Sequence, residues 1–295
     1  MDRTLLEQKS NYAKKLIEKY HLDLTGLTVF TELATKNYLM TSVMAYYAGA
    51  FVYAYNPNAE ENSPLDRFYI VNNFDAIKEA DIITNSGHVR PIDKEKIDKM
   101  KSTAVVPLMM MPQQVRTEDI DLKYCKEKEI LTIGTDEIKI GIFDSIGFKI
   151  LKLLFENGFS VWRDKFLIIT EGAIGAYISD FLYNLRIDFV IRAPGEIVFS
   201  NNVSLLSKDC QDVDAVIIAD YYHQRYYFPF EKVKTISVRD FKTNISGDYL
   251  GYKVTMELNA ASLKVGEVAA AARLHGLSID ETVLHAMANC PASIL

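Results

Sequence analysis

The sequence predicts an α/β protein of two Rossmann-like parallel-sheet units, with helices on both faces and a C-terminal helical segment. Two observations predict it. Short, β-rich apolar runs alternate with amphipathic stretches, and the alternation restarts after a helix over residues 143–156. At 295 residues the chain is long enough for two such units.

Thr4 with Glu7 gives a capping-box pattern, and Leu5, Leu6, Leu16, Ile17 and Tyr20 recur at helical spacing. A helix therefore opens the chain, and Gly26 breaks it. Strand 27–30, helix 36–47 and strand 51–55 follow, the last closed by Asn56-Pro57-Asn58. Residues 69–71 read as a short strand, 75–80 as a helix, and 81–84 as a strand running into Asn85-Ser86-Gly87-His88. A helix over 93–100 and strands over 104–109 and 130–134 complete the first series. The helix over 143–156 ends at Asn157-Gly158 and leads into the second series. That series is strand 166–170, a glycine turn over 171–175, helix 176–185, and strands 188–191, 215–219 and 235–238. Residues 260–274 are alanine-rich and helix-forming, and Ser278 with Glu281 opens a last helix through Ala288. The division expected is a substrate-side domain over 1–142 and a nucleotide-binding domain over 143–258. Helices over 259–295 then close the fold or pair with a second copy of the chain, a homodimer being the expected assembly.

Composition narrows the function classes. Hydrophobic residues make up 49% and charged residues 24%, ordinary for a globular chain, and the net charge of −6 argues against a nucleic-acid partner. No apolar run approaches a membrane span, and Met1-Asp2-Arg3-Thr4 opens into a polar helix, so no signal peptide is expected and a cytoplasmic protein is. Cys125, Cys210 and Cys290 are far apart and form no zinc spacing, which reads as buried reduced thiols. No His/Asp/Glu cluster has metal-ligand spacing, so no metal is expected.

In open α/β sheets ligands bind beyond the carboxyl ends of the strands, which selects a few loops. The strongest is Thr170-Glu171-Gly172-Ala173-Ile174-Gly175. It keeps two glycines of a dinucleotide fingerprint and replaces the first by Thr170. Glu171 would repel a pyrophosphate, so the loop suits a less anionic nucleotide than NAD, with S-adenosylmethionine as the expected cofactor; a tight turn with no ligand is the plain alternative. The second strand of this unit ends at Arg192 with no acid for the ribose; Arg192 would accept a 2′-phosphate and favour NADP, or is a solvated surface residue. Asp220-Tyr221-Tyr222-His223 is a pocket wall suited to stacking on a flat ring, or an aromatic interface. In the first unit the loops carrying Thr35, Asn85, His88, Gln113 and Thr135 lie at the carboxyl edge. His88 is the general-base candidate by residue type.

Thr35, Ala48-Gly49-Ala50 with Val52, and Asn56-Pro57 resemble the substrate domain of S-adenosylhomocysteine hydrolases, with Gly141–Ser145 a remnant of that family's linking segment. Thr170–Gly175 falls where that family's NAD loop would be. The chain departs from the hydrolases around Asp136, Glu137 and Lys139 and lacks their Lys/Tyr tail, ending Pro291-Ala292-Ser293-Ile294-Leu295. Its size and degraded glycine loop are similar to HcgC-type methyltransferases, which methylate a pyridinol ring carbon in iron-guanylylpyridinol cofactor assembly. That resemblance implies S-adenosylmethionine at Thr170, Glu171, Gly172, Ala173, Ile174, Gly175, Arg192 and Tyr221. It also implies a small aromatic substrate in the cleft between the units, near Asn85, Gln113, Thr135 and His223, with Thr35, His88 and Asp220 as catalytic candidates. The alternatives are an NAD(P)-dependent oxidoreductase with His88 or His223 as acid/base, a degenerate hydrolase relative, and a non-catalytic nucleotide sensor.

Overall fold

The computed structural model describes residues 3–34, 38–112, 115–142, 144–170, 172–193, 212–219, 234–237 and 252–294. The chain divides into two compact units. One joins Met1–Ile140 to Gly251–Leu295, and the other is Gly141–Leu250.

The first unit opens with helix α1 (Arg3–Tyr20) and continues through β1 (Thr28–Glu32), α2 (Leu39–Tyr47), β2 (Phe51–Tyr55), β3 (Asn62–Leu65) and β4 (Phe68–Val71). A 3-10 turn (Asp75–Glu79), β5 (Ile82–Ile83), a second 3-10 turn (Gly87–Val89), α3 (Lys94–Lys99), β6 (Val105–Leu108), α4 (Leu122–Glu127) and β7 (Leu131–Thr135) follow. The second unit holds α5 (Asp144–Glu156), β8 (Lys165–Ile169), α6 (Gly172–Asn184), β9 (Asp188–Arg192), β10 (Ala215–Ile218) and β11 (Lys234–Ser237). The chain then returns to the first unit as α7 (Tyr252–Leu274), α8 (Ile279–Asn289) and β12 (Ala292–Ser293).

The first sheet has the order β12-β7-β6-β5-β1-β2-β4-β3. Its six inner strands are parallel, and the edge strands β12 and β3 pair antiparallel. Counted along the chain, the parallel strands lie in the order 3-2-1-4-5-6 of a doubly wound sheet. Residues alternate between two cores. Val29, Val52, Ile82 and Val105 pack with α1, α2 and α7, while Phe30, Ile83, Val106 and Leu108 pack with Ile77, Ile92, Ile97 and Cys125. Both faces are covered, which is why these strands read as continuous apolar runs. The helix α7 lies close to the sheet because Gly266 carries no side chain; a Cβ there would sit 3.0 Å from both Ile82 Cγ2 and Pro107 Cγ.

The second sheet has the order β11-β10-β8-β9, all parallel, with Phe166, Leu167, Ile168 and Ile169 of β8 buried at its centre. Its strands run 2-1-3-4 in chain order, so the reversal of direction falls between β8 and β10.

Several boundaries differ from those the sequence predicts. The helix α1 already includes Arg3, so Thr4 lies inside its first turn instead of capping it. The segment after Phe74 is a single 3-10 turn, too short to close an α-helix. The chain is helical from Gly172, where a glycine turn through Gly175 was expected. The alanine-rich helix starts eight residues earlier than the alanines do, because Met256 and its neighbours already pack on the first core. The capping box at Ser278 is present: Ser278 Oγ accepts from the Glu281 amide, and Glu281 Oε2 accepts from the Ser278 amide at 2.9 Å.

Candidate functional site

At the first sheet's carboxyl edge, β1 passes into α2 on one face and β5 passes into the turn Gly87–Val89 on the other. Chains leaving adjacent strands to opposite faces open a crevice, the topological switch point where ligands of open α/β sheets bind. That edge is unusually polar for a buried region. Thr31, Glu32, Thr84, Asn85, Ser86 and Thr135 are all buried there. The Thr84 hydroxyl donates to Thr31 Oγ1 at 2.8 Å and lies 3.2 Å from Ser86 Oγ. Glu32 Oε2 accepts from the His88 backbone amide at 3.2 Å. Gly87, with φ of +49°, is what lets the carboxylate approach, since a Cβ at this position would lie 2.0 Å from Glu32 Oε2.

The sequence-predicted residues fall as follows. Asn85 is buried and its Oδ1 accepts from the Met109 amide at 2.8 Å. Thr135 closes β7, donates to the Leu108 carbonyl at 3.0 Å and lies 2.8 Å from Ser262 Oγ of α7. His88 sits on the 3-10 turn beside Glu32, its side chain exposed to solvent. Asn85, His88 and Thr135 thus share the edge. Thr35, Gln113, Glu171, Asp220, Tyr221 and His223 lie outside the described residues.

Sequence reasoning missed two groups. Glu32 read as a loop residue after a strand, yet it is the last residue of β1 and fully buried. Asn259 of α7 is also fully buried, and among the described residues neither its Oδ1 nor its Nδ2 has a hydrogen-bonding partner. Asn85 Nδ2 and Thr41 Oγ1 are in the same condition. A buried polar atom left unmet costs about 1–3 kcal/mol, so such groups mark a place built for something else to bind.

In the second unit the strand–helix corner lies at its own switch point. Thr170 follows β8, its amide donates to the Arg192 carbonyl at 3.1 Å, and its hydroxyl reaches the Ala219 carbonyl at 3.4 Å. Gly172, Ala173 and Ile174 form the first turn of α6. Gly175 is buried against the strand, where a Cβ would lie 3.1 Å from Thr170 Cγ2. The space at position 175 therefore serves close helix–strand packing, as the third glycine of a dinucleotide fingerprint does, and is not open to a ligand. Arg192 ends β9, the second strand of this sheet, and its Nη1 donates to the Ile191 carbonyl at 2.7 Å.

Thiol chemistry finds no support. Burial pushes the Cys125 thiol up to about 12 and that of Cys290 up to about 11, so neither is a thiolate at neutral pH. Cys210 lies outside the described residues. Among the described residues no helix is long and apolar enough to cross a membrane.

No protein-family model matches the chain, and no curated protein matches it by sequence. Solved structures do. A dipicolinate synthase chain from Bacillus halodurans superposes with a TM-score of 0.54 at 11% identity, over 81% of this chain and 96% of that one. A dehydrogenase from Rhizobium meliloti gives 0.50 at 10% identity, over 85% and 98%. An NAD+-bound 3-phosphoglycerate dehydrogenase from Entamoeba histolytica gives 0.47 at 12% identity, over 85% and 96%. At these identities the likeness establishes a Rossmann-type α/β fold. It overturns the expected HcgC-type, S-adenosylmethionine-dependent C-methyltransferase and the cofactor expected with it, because the like structures are dehydrogenases and a dipicolinate synthase.

Proposed function

We propose that the chain is an NAD(P)-dependent oxidoreductase whose second unit holds the nucleotide and favours the 2′-phosphorylated form. The observation that carries this is Arg192 at the end of the second strand of a parallel 2-1-3-4 sheet. In a dinucleotide-binding unit that position faces the ribose, and an arginine there recognises a 2′-phosphate where an acid would select the free hydroxyl. The helix α6 begins directly after the first strand, so its N-terminal amides serve the pyrophosphate. Gly175 supports the same reading by allowing the helix to pack on the strand. Thr170 in place of the first glycine, and the negative charge of Glu171 just before the helix, depart from the fingerprint.

The nicotinamide ring, when bound, supplies or takes up a hydride. The chain's own part in the second unit is to bind the ribose phosphate through Arg192. The fold likeness to dehydrogenases supports this assignment. Calorimetry with NADPH, NADH and S-adenosylhomocysteine tests it. NADPH is expected to bind, NADH to bind more weakly, and S-adenosylhomocysteine not to bind. Binding of S-adenosylhomocysteine without either dinucleotide would overturn the proposal.

A further inference from the structure

Of the first unit's unmet buried atoms, Thr41 Oγ1, Asn85 Nδ2 and the Oδ1 and Nδ2 of Asn259 lie toward the carboxyl edge of the sheet, while Arg273 Nε, Thr282 Oγ1 and Ser293 Oγ lie on other parts of the unit. Gly266 of α7 lies over Ile82 and Pro107, and Ser262, one turn earlier, lies against Thr135 at the end of β7. The helix therefore runs antiparallel to the strands, and its N-terminal half reaches toward their carboxyl ends. Asn259 is seven residues before Gly266, about 10.5 Å along the axis and on the same face. Three residues along a strand from Ile82 span about 10 Å and end at Asn85. Asn259 and Asn85 thus both lie toward the carboxyl ends of the strands, Asn85 by alternation on the face of Ile83 and Asn259 on that of Ile82. Thr41 belongs to the first turn of α2, which follows β1 and packs on the same face of the sheet as α7.

We infer that this edge is a binding site for a neutral small molecule carrying a hydrogen-bond donor beside an acceptor, a lactam or primary carboxamide, read by Asn259. The carboxamide of Asn259 is buried with both its acceptor and its donor unmet, and those two atoms lie side by side. Their complement is another amide edge. Thr41 Oγ1 adds a further unmet polar atom on the same face, and Asn85 Nδ2 another at the same end of the sheet. Asn259, Asn85 and Thr41 are neutral, and the buried Glu32 carboxylate at the same edge would repel an anion, so the chemistry favours an uncharged ligand over an anionic one. The inference stands whether or not the second unit takes a nucleotide.

The test uses the full chain with 2-pyridone, whose ring N–H and carbonyl form one amide edge, and N-methyl-2-pyridone, which lacks the donor. Binding is followed by NMR of the side-chain amide of Asn259, assigned by its loss in Asn259→Leu, and affinities are measured alongside. Expected results are a shift of that resonance on adding 2-pyridone and none with the N-methyl compound. Affinity should fall about tenfold or more in Asn259→Leu and also in Asn259→Ala, which removes the carboxamide without adding a charge. Should Asn259→Leu fail to fold, Asn259→Ala decides alone. An unmoved resonance at tens of millimolar 2-pyridone, or equal affinity for the variant and the wild type, overturns the inference.

Discussion

Replacing Gly87 by alanine should open the carboxyl edge of the first sheet, and the size of the effect follows from two separate costs. The residue has φ of +49°, where a Cβ costs about 1–2 kcal/mol. That Cβ would also stand 2.0 Å from Glu32 Oε2, so the buried carboxylate must move and lose the His88 amide at 3.2 Å. A hydrogen bond to a charged group contributes about 1.5–3 kcal/mol. Together the costs come to roughly 2.5–5 kcal/mol. Gly26→Ala is the matched control, since Gly26 has φ of +82° with nothing within 4 Å of its missing Cβ, and it carries the conformational cost alone. Native-state hydrogen exchange read on peptides covering β1 and β5 gives the opening free energies of this edge. Gly87→Ala should lower protection by about 2 kcal/mol more than Gly26→Ala does. Equal loss in the two variants would refute the claim that Gly87 exists to admit the Glu32 carboxylate.

Two further outcomes test other parts of the structure. Burial holds Lys149 on α5 down at about 8 against an ordinary 10.5. Between those values the unfolded chain binds the extra proton, so the second unit should gain stability as pH rises through that window, by at most roughly 3 kcal/mol. Urea unfolding read by the single tryptophan, Trp162, should show the gain, and Lys149→Met should abolish it; a flat profile in the wild type would contradict the burial. Ser278→Ala removes the cap of α8 and should cost about 1 kcal/mol, seen as faster amide exchange in the first turn of that helix.

The parts of the fold legible in the sequence are those where burial on both faces leaves only apolar residues, as in Phe166–Ile169 and Val105–Leu108. The capping box at Ser278 was legible because its chemistry is local. The antiparallel strand Asn62–Leu65 was not, for it is exposed along its whole length and carries Pro64, so neither alternation nor propensity announces it. The first residues of α7 include Val254 and Thr255, β-branched types that hide a helix whose stability comes from packing. Asn85 and Thr135 stand out in the sequence because each is a polar residue directly after an apolar run. Glu32 and Asn259 escaped for the opposite reason: each belongs to a regular element, and only the three-dimensional arrangement shows that its polar end is buried at the strand ends.

Paired titrations of NADPH and NADH into wild type and Arg192→Ala test directly whether Arg192 selects a phosphorylated ribose. Wild type should prefer NADPH, and the variant should lose that preference, by about tenfold or more, while its affinity for NADH stays the same. A variant that still prefers NADPH to the same degree, or a wild type that binds neither dinucleotide, would contradict the account.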